Sequence, residues 1–211
     1  MFLGFQEIID KYKMNITGVI HAGGHCGSTI PMYQQAGIQN VIYFEPQAHA
    51  FEILSKNLAS APTYKAYNMG LAWGTGSVLL NIEQSNQGQS SSILEPKKVK
   101  DIYPHKLFSG TEAIQLATLD SFCIKNCNFL TLDVQGYENE VLKGAQDMLK
   151  NYLKYIVCKV AFSELYRGNA KIYNTDKLLL MHDFIRMDTF IHPIDESGDA
   201  LYVKKEVLDQ F

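Results

Sequence analysis

The first residues that could do chemistry form a glycine-rich turn, HAGGHCG at residues 21–27, which follows a short apolar run. Glycine in such a turn adopts positive φ angles and lets a ligand come close to the backbone. Glu45 ends the next apolar run, 22 positions after Gly23. A carboxylate at that place can accept hydrogen bonds from both hydroxyls of a ribose. The spacing predicts a nucleotide-like ligand, bound by His21, Ala22, Gly23, Gly24, Gly27, Glu45 and Pro46.

Two kinds of nucleotide-like cofactor are consistent with this turn. The dinucleotide motif G-x-G-x-x-G would require a glycine at position 22, where the chain has Ala22. The related frame of S-adenosylmethionine sites, acid-x-Gly-x-x-x-Gly, is matched by Gly23 and Gly27. The turn alone leaves both cofactors open. Three residues around the end of a third apolar run are expected on the adenine side of the ligand: Asn68, Gly70 and Leu71.

Two carboxylates later in the chain are candidates for catalysis. Asp133 ends the apolar run 129–133, and Glu164 follows the apolar run 155–161. Because ligands collect at the carboxyl ends of strands in open α/β sheets, we expect both side chains to face the crevice beside the glycine turn. Either carboxylate could take the proton of a hydroxyl group, with His105 and His182 as weaker candidates, or the carboxylate pair could hold a divalent metal that activates the hydroxyl. We also expect Asp133 to contact the cofactor.

These polar residues stand between short apolar runs that alternate with helical patterns along the chain. This alternation is typical of an α/β fold and predicts a mostly parallel sheet with helices on both faces, in a single domain at 1–211. We expect strands at 18–22, 41–44, 64–68, 77–82, 129–133, 155–161, 190–193 and 200–204. We expect helices within 1–15 and at 28–36, 47–58, 138–150 and 175–185. Residues 83–113 lack periodicity, which predicts an irregular insertion on the substrate side.

The composition limits the classes of protein to which the chain can belong. With 46% hydrophobic and 19% charged residues among 211, the chain has the material for a buried core. The formal net charge is −3, so the dense basic surface that binds nucleic acid is not expected. No apolar run has the roughly 18 residues of a membrane-spanning helix. The four cysteines are scattered, which favours a reducing compartment, and we expect a cytoplasmic location.

Six segments resemble the successive motifs of FkbM-type methyltransferases: VIHAGGHCG, NVIYFEP, TLDSF, FLTLDVQGYENEVLKGA, FSELYRG and GDALYVK. The resemblance extends over residues 18–204, and its most specific part is LDVQGYENEVLKGA at 132–145. It implies a Rossmann-like class I fold with seven strands, S-adenosylmethionine as the cofactor, and O-methylation of a sugar in a glycan or glycoconjugate. The family usually has an acid where this chain has His21. We interpret the histidine as a variant acceptor for the amino group of the cofactor.

The resemblance also implies where the acceptor binds. In the family a Ser-rich stretch follows the third strand and borders the active site, and a similar stretch, QGQSSS, stands at 87–92 here. Small hydroxyl and amide side chains suit hydrogen bonding to a polyol, and a tyrosine can stack on a sugar ring. The residues predicted to bind a carbohydrate or other small hydroxyl-bearing acceptor are Gln89, Ser90, Ser91, Gln135 and Tyr166.

Two other functions remain alternatives at this level. A nicotinamide-dependent oxidoreductase or epimerase would use a similar glycine turn, although Ala22 argues against its motif. A module that binds the cofactor or a glycan without turnover is the second alternative, because His21 replaces the usual acid. Calorimetry with S-adenosylmethionine and NAD distinguishes the first alternative, and a methyl-transfer assay with glycans distinguishes the second.

Overall fold

A computed structural model describes residues 3–208, in which the strands form two sheets. In chain order the strands are β1 (Val19–Ala22), β2 (Val41–Phe44), β3 (Lys65–Tyr67), β4 (Gly70–Leu71), β5 (Gly76–Glu83), β6 (Phe108–Ala117), β7 (Phe129–Leu132), β8 (Tyr155–Ala161), β9 (Phe184–Ile191) and β10 (Ser197–Lys204). The main sheet has seven strands in the order β3-β2-β1-β7-β8-β10-β9. Its neighbouring strands run parallel, except that β10 is antiparallel to both β8 and β9. The predicted seven-stranded, mostly parallel sheet is confirmed.

The helices of the described residues are α1 (Phe5–Lys11), α2 (Ile30–Gln35), α3 (Ala48–Asn57), α4 (Lys98–Ile102), α5 (Glu138–Lys143), α6 (Gln146–Asn151), α7 (Ile172–Leu180) and α8 (Lys205–Leu208). The helix predicted at 138–150 is divided at Gly144, whose backbone lies so close to β4 that a Cβ atom would be 1.9 Å from the carbonyl oxygen of Ala72. The helix predicted at 175–185 is observed at Ile172–Leu180. It ends early because Asp183 has a φ of +63° and Phe184 begins β9. Within residues 3–208, no helix combines the length and apolar character needed to cross a bilayer.

Apolar side chains cover both faces of the main sheet. On one face Ile20 and Leu130 belong to a cluster with residues of α5, α6 and α7. On the other face Val19 and Phe129 pack with residues of α1, α2 and α3. Successive residues of each parallel strand are therefore buried on opposite faces. His21 departs from this pattern as a buried polar residue near the carboxyl end of β1, which is the edge where the polar residues of the sequence analysis gather.

Residues 83–113 contain more regular structure than the sequence predicts. The short helix α4 lies inside this range, and β6 begins at Phe108 and pairs antiparallel with β5. Together with β4 these strands form a second sheet in the order β4-β6-β5. The first part of β6 is polar and largely exposed, so it lacks the apolar alternation by which a half-buried strand is identified. The irregular part is limited to residues 84–97 and 103–107.

Candidate active site

Two adjoining cavities open at the carboxyl ends of β1, β2 and β7. The first, here called the β2-side cavity, has a volume of about 590 Å³ including its open mouth and is bordered by residues 44–47 and 69–71. The second, the β8-side cavity, has a volume of about 1510 Å³, also including its open mouth, and is bordered by side chains of β8 and β10. Both cavities are bordered by Gly23, His25, Gln89, Asp133 and Gln135. The two cavities therefore form one crevice whose halves meet at the glycine turn and Asp133.

The glycine turn lies between the ends of β2 and β7. Gly23 has a φ of +83°, and a Cβ atom there would be 2.0 Å from the carbonyl oxygen of Asp133, so a larger residue would displace the turn. The amide groups of Gly23 and Gly24 donate hydrogen bonds to the carbonyl oxygen of Phe44 at 2.9 and 3.1 Å. Ala22 and Gly23 border the β2-side cavity, and Gly23 and Gly24 border the β8-side cavity. Gly27 borders neither cavity.

Glu45 is the buried acid that the sequence places on the ribose. It is 3% exposed, yet it borders the β2-side cavity together with Pro46. Its Oε2 accepts a hydrogen bond from the amide of His25 at 2.7 Å, and its Oε1 accepts one from the amide of Gln47 at 2.9 Å. Burial raises the pKa of Glu45, although these two hydrogen bonds oppose the shift. Each carboxylate oxygen keeps a further lone pair, so the oriented carboxylate can accept hydrogen bonds from two hydroxyls.

The residues after β3 are only partly placed as the sequence predicts. Gly70 and Leu71 border the β2-side cavity. Asn68 borders neither cavity, because its Nδ2 donates to the carbonyl oxygens of Glu45 and Pro46 at 2.9 and 3.0 Å. Asn68 thus holds the loop that carries the acid instead of facing the ligand. Met69 borders the cavity and was missed; its position in the turn between two predicted site residues was the available signal.

His21 is buried on the floor of the β8-side cavity. Its Nδ1 is 2.9 Å from the hydroxyl of Tyr33, which is itself 3.0 Å from the hydroxyl of Thr131. The imidazole stacks on the ring of Tyr43 with a centroid distance of 5.3 Å. Burial lowers the pKa of His21 to about 4, so the ring is neutral at physiological pH. With Nδ1 engaged by Tyr33, Nε2 is the ring nitrogen left to face a ligand.

The two carboxylates proposed for catalysis lie in different environments. Asp133 borders both cavities; its Oδ1 accepts from Nε2 of Gln135 at 2.6 Å, and its Oδ2 is 3.5 Å from Nζ of Lys159. Glu164 borders neither cavity: it accepts hydrogen bonds from Nζ of Lys97 and, at 2.8 Å, from the amide of Gly168. The strand before Glu164 ends at residue 161, and in the loop that follows, the carboxylate of Glu164 is held by Lys97 and Gly168, although Tyr166 of the same loop borders the β8-side cavity. The structure therefore does not bring the two carboxylates together, either as alternative bases or as ligands of one metal.

Lys159 is a second site residue that was not predicted from the sequence. It lies on β8, its side chain borders the β8-side cavity, and its ammonium pairs with Asp133. Its strand, YIVCKVA, is otherwise without charge. A charged residue in such a strand is costly to bury unless it is paired, and that was the available signal.

The residues predicted to bind the acceptor substrate lie near Asp133 and are held by hydrogen bonds. The hydroxyl of Tyr166 donates to the carbonyl oxygen of Ser90 at 2.9 Å and lies 3.2 Å from Oε1 of Gln135. The hydroxyl of Ser91 donates to Oε1 of Gln47 at 3.1 Å. Gln135 borders both cavities, Ser90 and Tyr166 border the β8-side cavity, and Ser91 borders the β2-side cavity. These bonds hold the Ser-rich segment against the crevice where both halves meet.

Known proteins are similar to this chain in sequence and in fold. The methyltransferase FkbM domain family matches residues 21–197. Methyltransferase 1 of Beauveria bassiana (strain ARSEF 2860) is 25% identical over 169 residues, which are 72% of this chain and 68% of that protein.

Two solved structures have a similar fold. The methyltransferase FkbM from Methylobacillus flagellatus KT has a TM-score of 0.61 at 14% identity, over 89% of this chain and 43% of that chain, so this chain spans less than half of that relative. Magnesium protoporphyrin IX methyltransferase (ChlM) from Synechocystis PCC 6803, solved with bound S-adenosylmethionine, has a TM-score of 0.54 at 13% identity, over 94% of this chain and 74% of that chain. The likeness to these two structures shows that the chain has the Rossmann-like fold of class I methyltransferases. By the match over residues 21–197, the chain belongs to the FkbM methyltransferase family.

Proposed function

We propose that the chain transfers a methyl group from S-adenosylmethionine to a hydroxyl oxygen, and that the acceptor is a sugar of a glycan or glycoconjugate. The observation that carries this proposal is the position of Asp133, which borders both halves of the crevice. One half suits the cofactor and the other is large enough for an acceptor. A carboxylate at their junction lies where the hydroxyl must lose its proton.

The β2-side cavity suits the cofactor in chemistry. Gly23 borders it without a side chain, so the backbone of the turn can lie directly against the cofactor. Glu45 presents a buried, oriented carboxylate for the ribose hydroxyls, and Phe44 and Leu71 provide apolar surface for the adenine. When bound, the cofactor supplies an electrophilic methyl group on a positively charged sulfur.

The remaining roles follow from the contacts of each side chain. The methionine part of the cofactor extends past Gly23 into the edge of the β8-side cavity, where neutral His21 accepts a hydrogen bond at Nε2 from its amino group. Gln135 holds Asp133 through Oδ1, which leaves Oδ2 directed to the side of Lys159. Asp133 then accepts the proton of the acceptor hydroxyl as the new carbon–oxygen bond forms.

The lining of the β8-side cavity supports a polyol acceptor. Ser28, Thr29 and Gln89 offer small hydroxyl and amide groups along it, and the rings of Tyr103 and Tyr166 can contact the face of a sugar. The family resemblance is the second support for a sugar. Neither support depends on the other.

Calorimetry and product analysis test the proposal together. We expect the parent chain to bind S-adenosylhomocysteine and not NAD, and to methylate at least one member of a panel of methyl glycosides and free polyols. Mass spectrometry of the product then shows which atom carries the methyl group. If none of these hydroxyl compounds is methylated, the proposal is contradicted.

Membership of a methyltransferase family leaves the nicotinamide-dependent alternative without support. The module without turnover remains the competing outcome of the same experiment. It predicts that S-adenosylhomocysteine binds and that no hydroxyl compound of the panel is methylated.

A further inference from the structure

Lys159 is a charged residue inside the main sheet, and its placement calls for a reason. Its side chain is 21% exposed, and the neighbours on β8 are the apolar residues Cys158 and Val160. Moving an ammonium group out of water costs several kcal/mol unless other charges compensate for the loss. An apolar residue at this position would cost the fold less.

Two carboxylates compensate for the charge of Lys159. Asp133, after the end of β7, is 3.5 Å from Nζ. Asp199 on β10 is the residue directly opposite Lys159 in the antiparallel pairing, is 3% exposed, and borders the same cavity. Burial by itself lowers the pKa of a lysine, but Asp133, Asp199 and the more distant Glu138 outweigh it and hold the pKa of Lys159 above its ordinary value. Lys159 is therefore an ammonium ion at neutral pH, with carboxylates on two strands around it.

We propose that Lys159 is a further catalytic residue, whose ammonium binds the oxygen of the acceptor hydroxyl beside Asp133 and stabilises that oxygen as its proton leaves. This inference rests on the proposed O-methyltransferase function. It assigns the two partners of one ion pair to different tasks: Asp133 takes the proton, and Lys159 holds the oxygen.

The atoms and charges of this step balance. The O–H bond of the acceptor breaks and its proton passes to Asp133, while the oxygen forms the new bond to the methyl carbon. The electron pair of the broken carbon–sulfur bond stays on sulfur, whose positive charge is thereby lost. Lys159 keeps its protons throughout. When Asp133 has become neutral, Asp199 still balances the ammonium, which explains why the cation has two carboxylate neighbours.

The position of Lys159 also bears on the divalent metal that the sequence suggested at Asp133. A divalent cation beside Asp133 would lie next to the ammonium of Lys159, and the two positive charges would repel each other. Lys159 thus supplies the positive charge that a metal supplies where it activates a hydroxyl. We expect the methyl transfer to be insensitive to EDTA.

The kinetic test compares Lys159→Met with the control Lys97→Met, which removes the exposed ammonium paired with Glu164 outside the crevice. With the methyl glycoside that the parent uses best, we expect Lys159→Met to lower kcat by roughly 10²–10³-fold, a size typical for the loss of one stabilising donor. The Kd for S-adenosylhomocysteine should stay within about threefold of the parent value, since the inference assigns Lys159 to the oxygen of the acceptor and not to the cofactor. Added ethylammonium should restore part of kcat in Lys159→Ala. Lys97→Met should change neither quantity.

Several outcomes would overturn the inference. One is a kcat of Lys159→Met that stays within threefold of the parent value. Another is a fall in the affinity for S-adenosylhomocysteine as large as the fall in kcat, which would indicate a structural role. If Lys159→Met does not fold, the double variant Lys159→Met/Asp199→Asn removes the cation together with one anion, and the same loss of kcat is expected. A parent chain that methylates no hydroxyl compound contradicts the proposed function instead.

A second measurement needs no acceptor. Electron paramagnetic resonance with Mn²⁺ alone should show no Mn²⁺ site in the crevice of the parent chain. Removal of the ammonium in Lys159→Ala should create one between the two carboxylates, and Asp199→Asn in that background should abolish it. If the parent binds Mn²⁺ and Asp133→Asn removes the binding, a metal has the role assigned to Lys159, and the inference is wrong.

Discussion

Two lysine–carboxylate pairs of this protein show how the same chemistry differs with its surroundings. Lys159 and Asp133 meet where two cavities join, with side chains 21% and 32% exposed. Lys97 and Glu164 meet outside the crevice, with side chains 49% and 33% exposed. In the first pair both groups border a cavity and retain atoms for a ligand. In the second pair Glu164 is occupied by Lys97 and by the amide of Gly168.

The difference shows that the end of a strand is not sufficient to place a carboxylate in the site. Asp133 directly follows β7, a central strand between β1, which ends at the same level, and β8, which continues past it to Ala161. Glu164 stands three residues after β8, in a connection that also pairs with the segment around residue 96. The first carboxylate is therefore positioned by the sheet, whereas the second is positioned by a loop whose contacts hold it at Lys97 and Gly168.

The largest expected effect is the difference in turnover between a variant of Asp133 and a variant of Glu164. Asp133→Asn should lower turnover by roughly 10²–10⁴-fold, the usual contribution of a positioned proton acceptor, and should leave S-adenosylhomocysteine bound. Glu164→Gln should change turnover by less than about threefold, because its carboxylate does not reach the crevice. Initial rates and calorimetry on both variants measure these effects. Equal losses in the two variants would remove the distinction between the pairs.

Glu45 is a second carboxylate in the crevice, and its variant tests cofactor binding instead of turnover. Glu45→Ala removes the acceptor of two ribose hydrogen bonds, each worth about 1.5–3 kcal/mol when the acceptor is charged. We expect the affinity for S-adenosylhomocysteine to fall by at least about 100-fold, as measured by calorimetry. The matched control is Glu52→Ala, an exposed glutamate on α3, which should bind as the parent does. Unchanged affinity in a folded Glu45→Ala protein would show that the ribose is bound elsewhere.

The crevice also contains His21, which is buried and neutral. The pH dependence of the free energy of unfolding tests this burial. The pKa of His21 is about 4 in the folded chain, against about 6.5 in an unfolded one. As the pH falls from 6.5 to 4, the unfolded state takes up a proton that the folded state does not, so the free energy of unfolding decreases. The loss through this group should be about 3 kcal/mol at pH 4.

Denaturant titrations of the parent and His21→Asn between pH 7 and 4 measure this effect as the difference in slope. His49→Asn, an exposed histidine on α3, is the matched control and should leave the slope as it is in the parent. A His21→Asn protein with the same pH dependence as the parent would contradict the burial of a neutral imidazole.

The smallest effect is expected at the surface pair. Ion pairs of exposed side chains contribute little to stability because water and salt screen them. Lys97→Met and Glu164→Gln should therefore unfold at the same denaturant concentration as the parent, within the error of the measurement. A clear destabilisation by either substitution would mean that this pair, too, has a structural task.

The sequence by itself determined the elements that build the crevice. Strands β2 and β8 have the predicted bounds, and β1 and β7 differ from them by a single residue, because short apolar runs between helical patterns leave few other structures. The glycine turn, Glu45 and Asp133 could also be predicted, because each is recognised from residues next to it in the sequence. A glycine with positive φ or an acid at a strand end is recognised from its immediate neighbours, as the φ of +83° at Gly23 illustrates.

The tertiary structure alone decided which side chains meet. Lys159 has Asp199 as its partner because β10 inserts antiparallel beside β8, a pairing between residues 40 positions apart that no local pattern contains. Asn68 faces the loop of Glu45, and Glu164 faces Lys97, because the direction of a loop side chain depends on which segment packs beside it. Strand order and loop packing are non-local, so the sequence predicted the place of the site, whereas the fold selected the residues that act there.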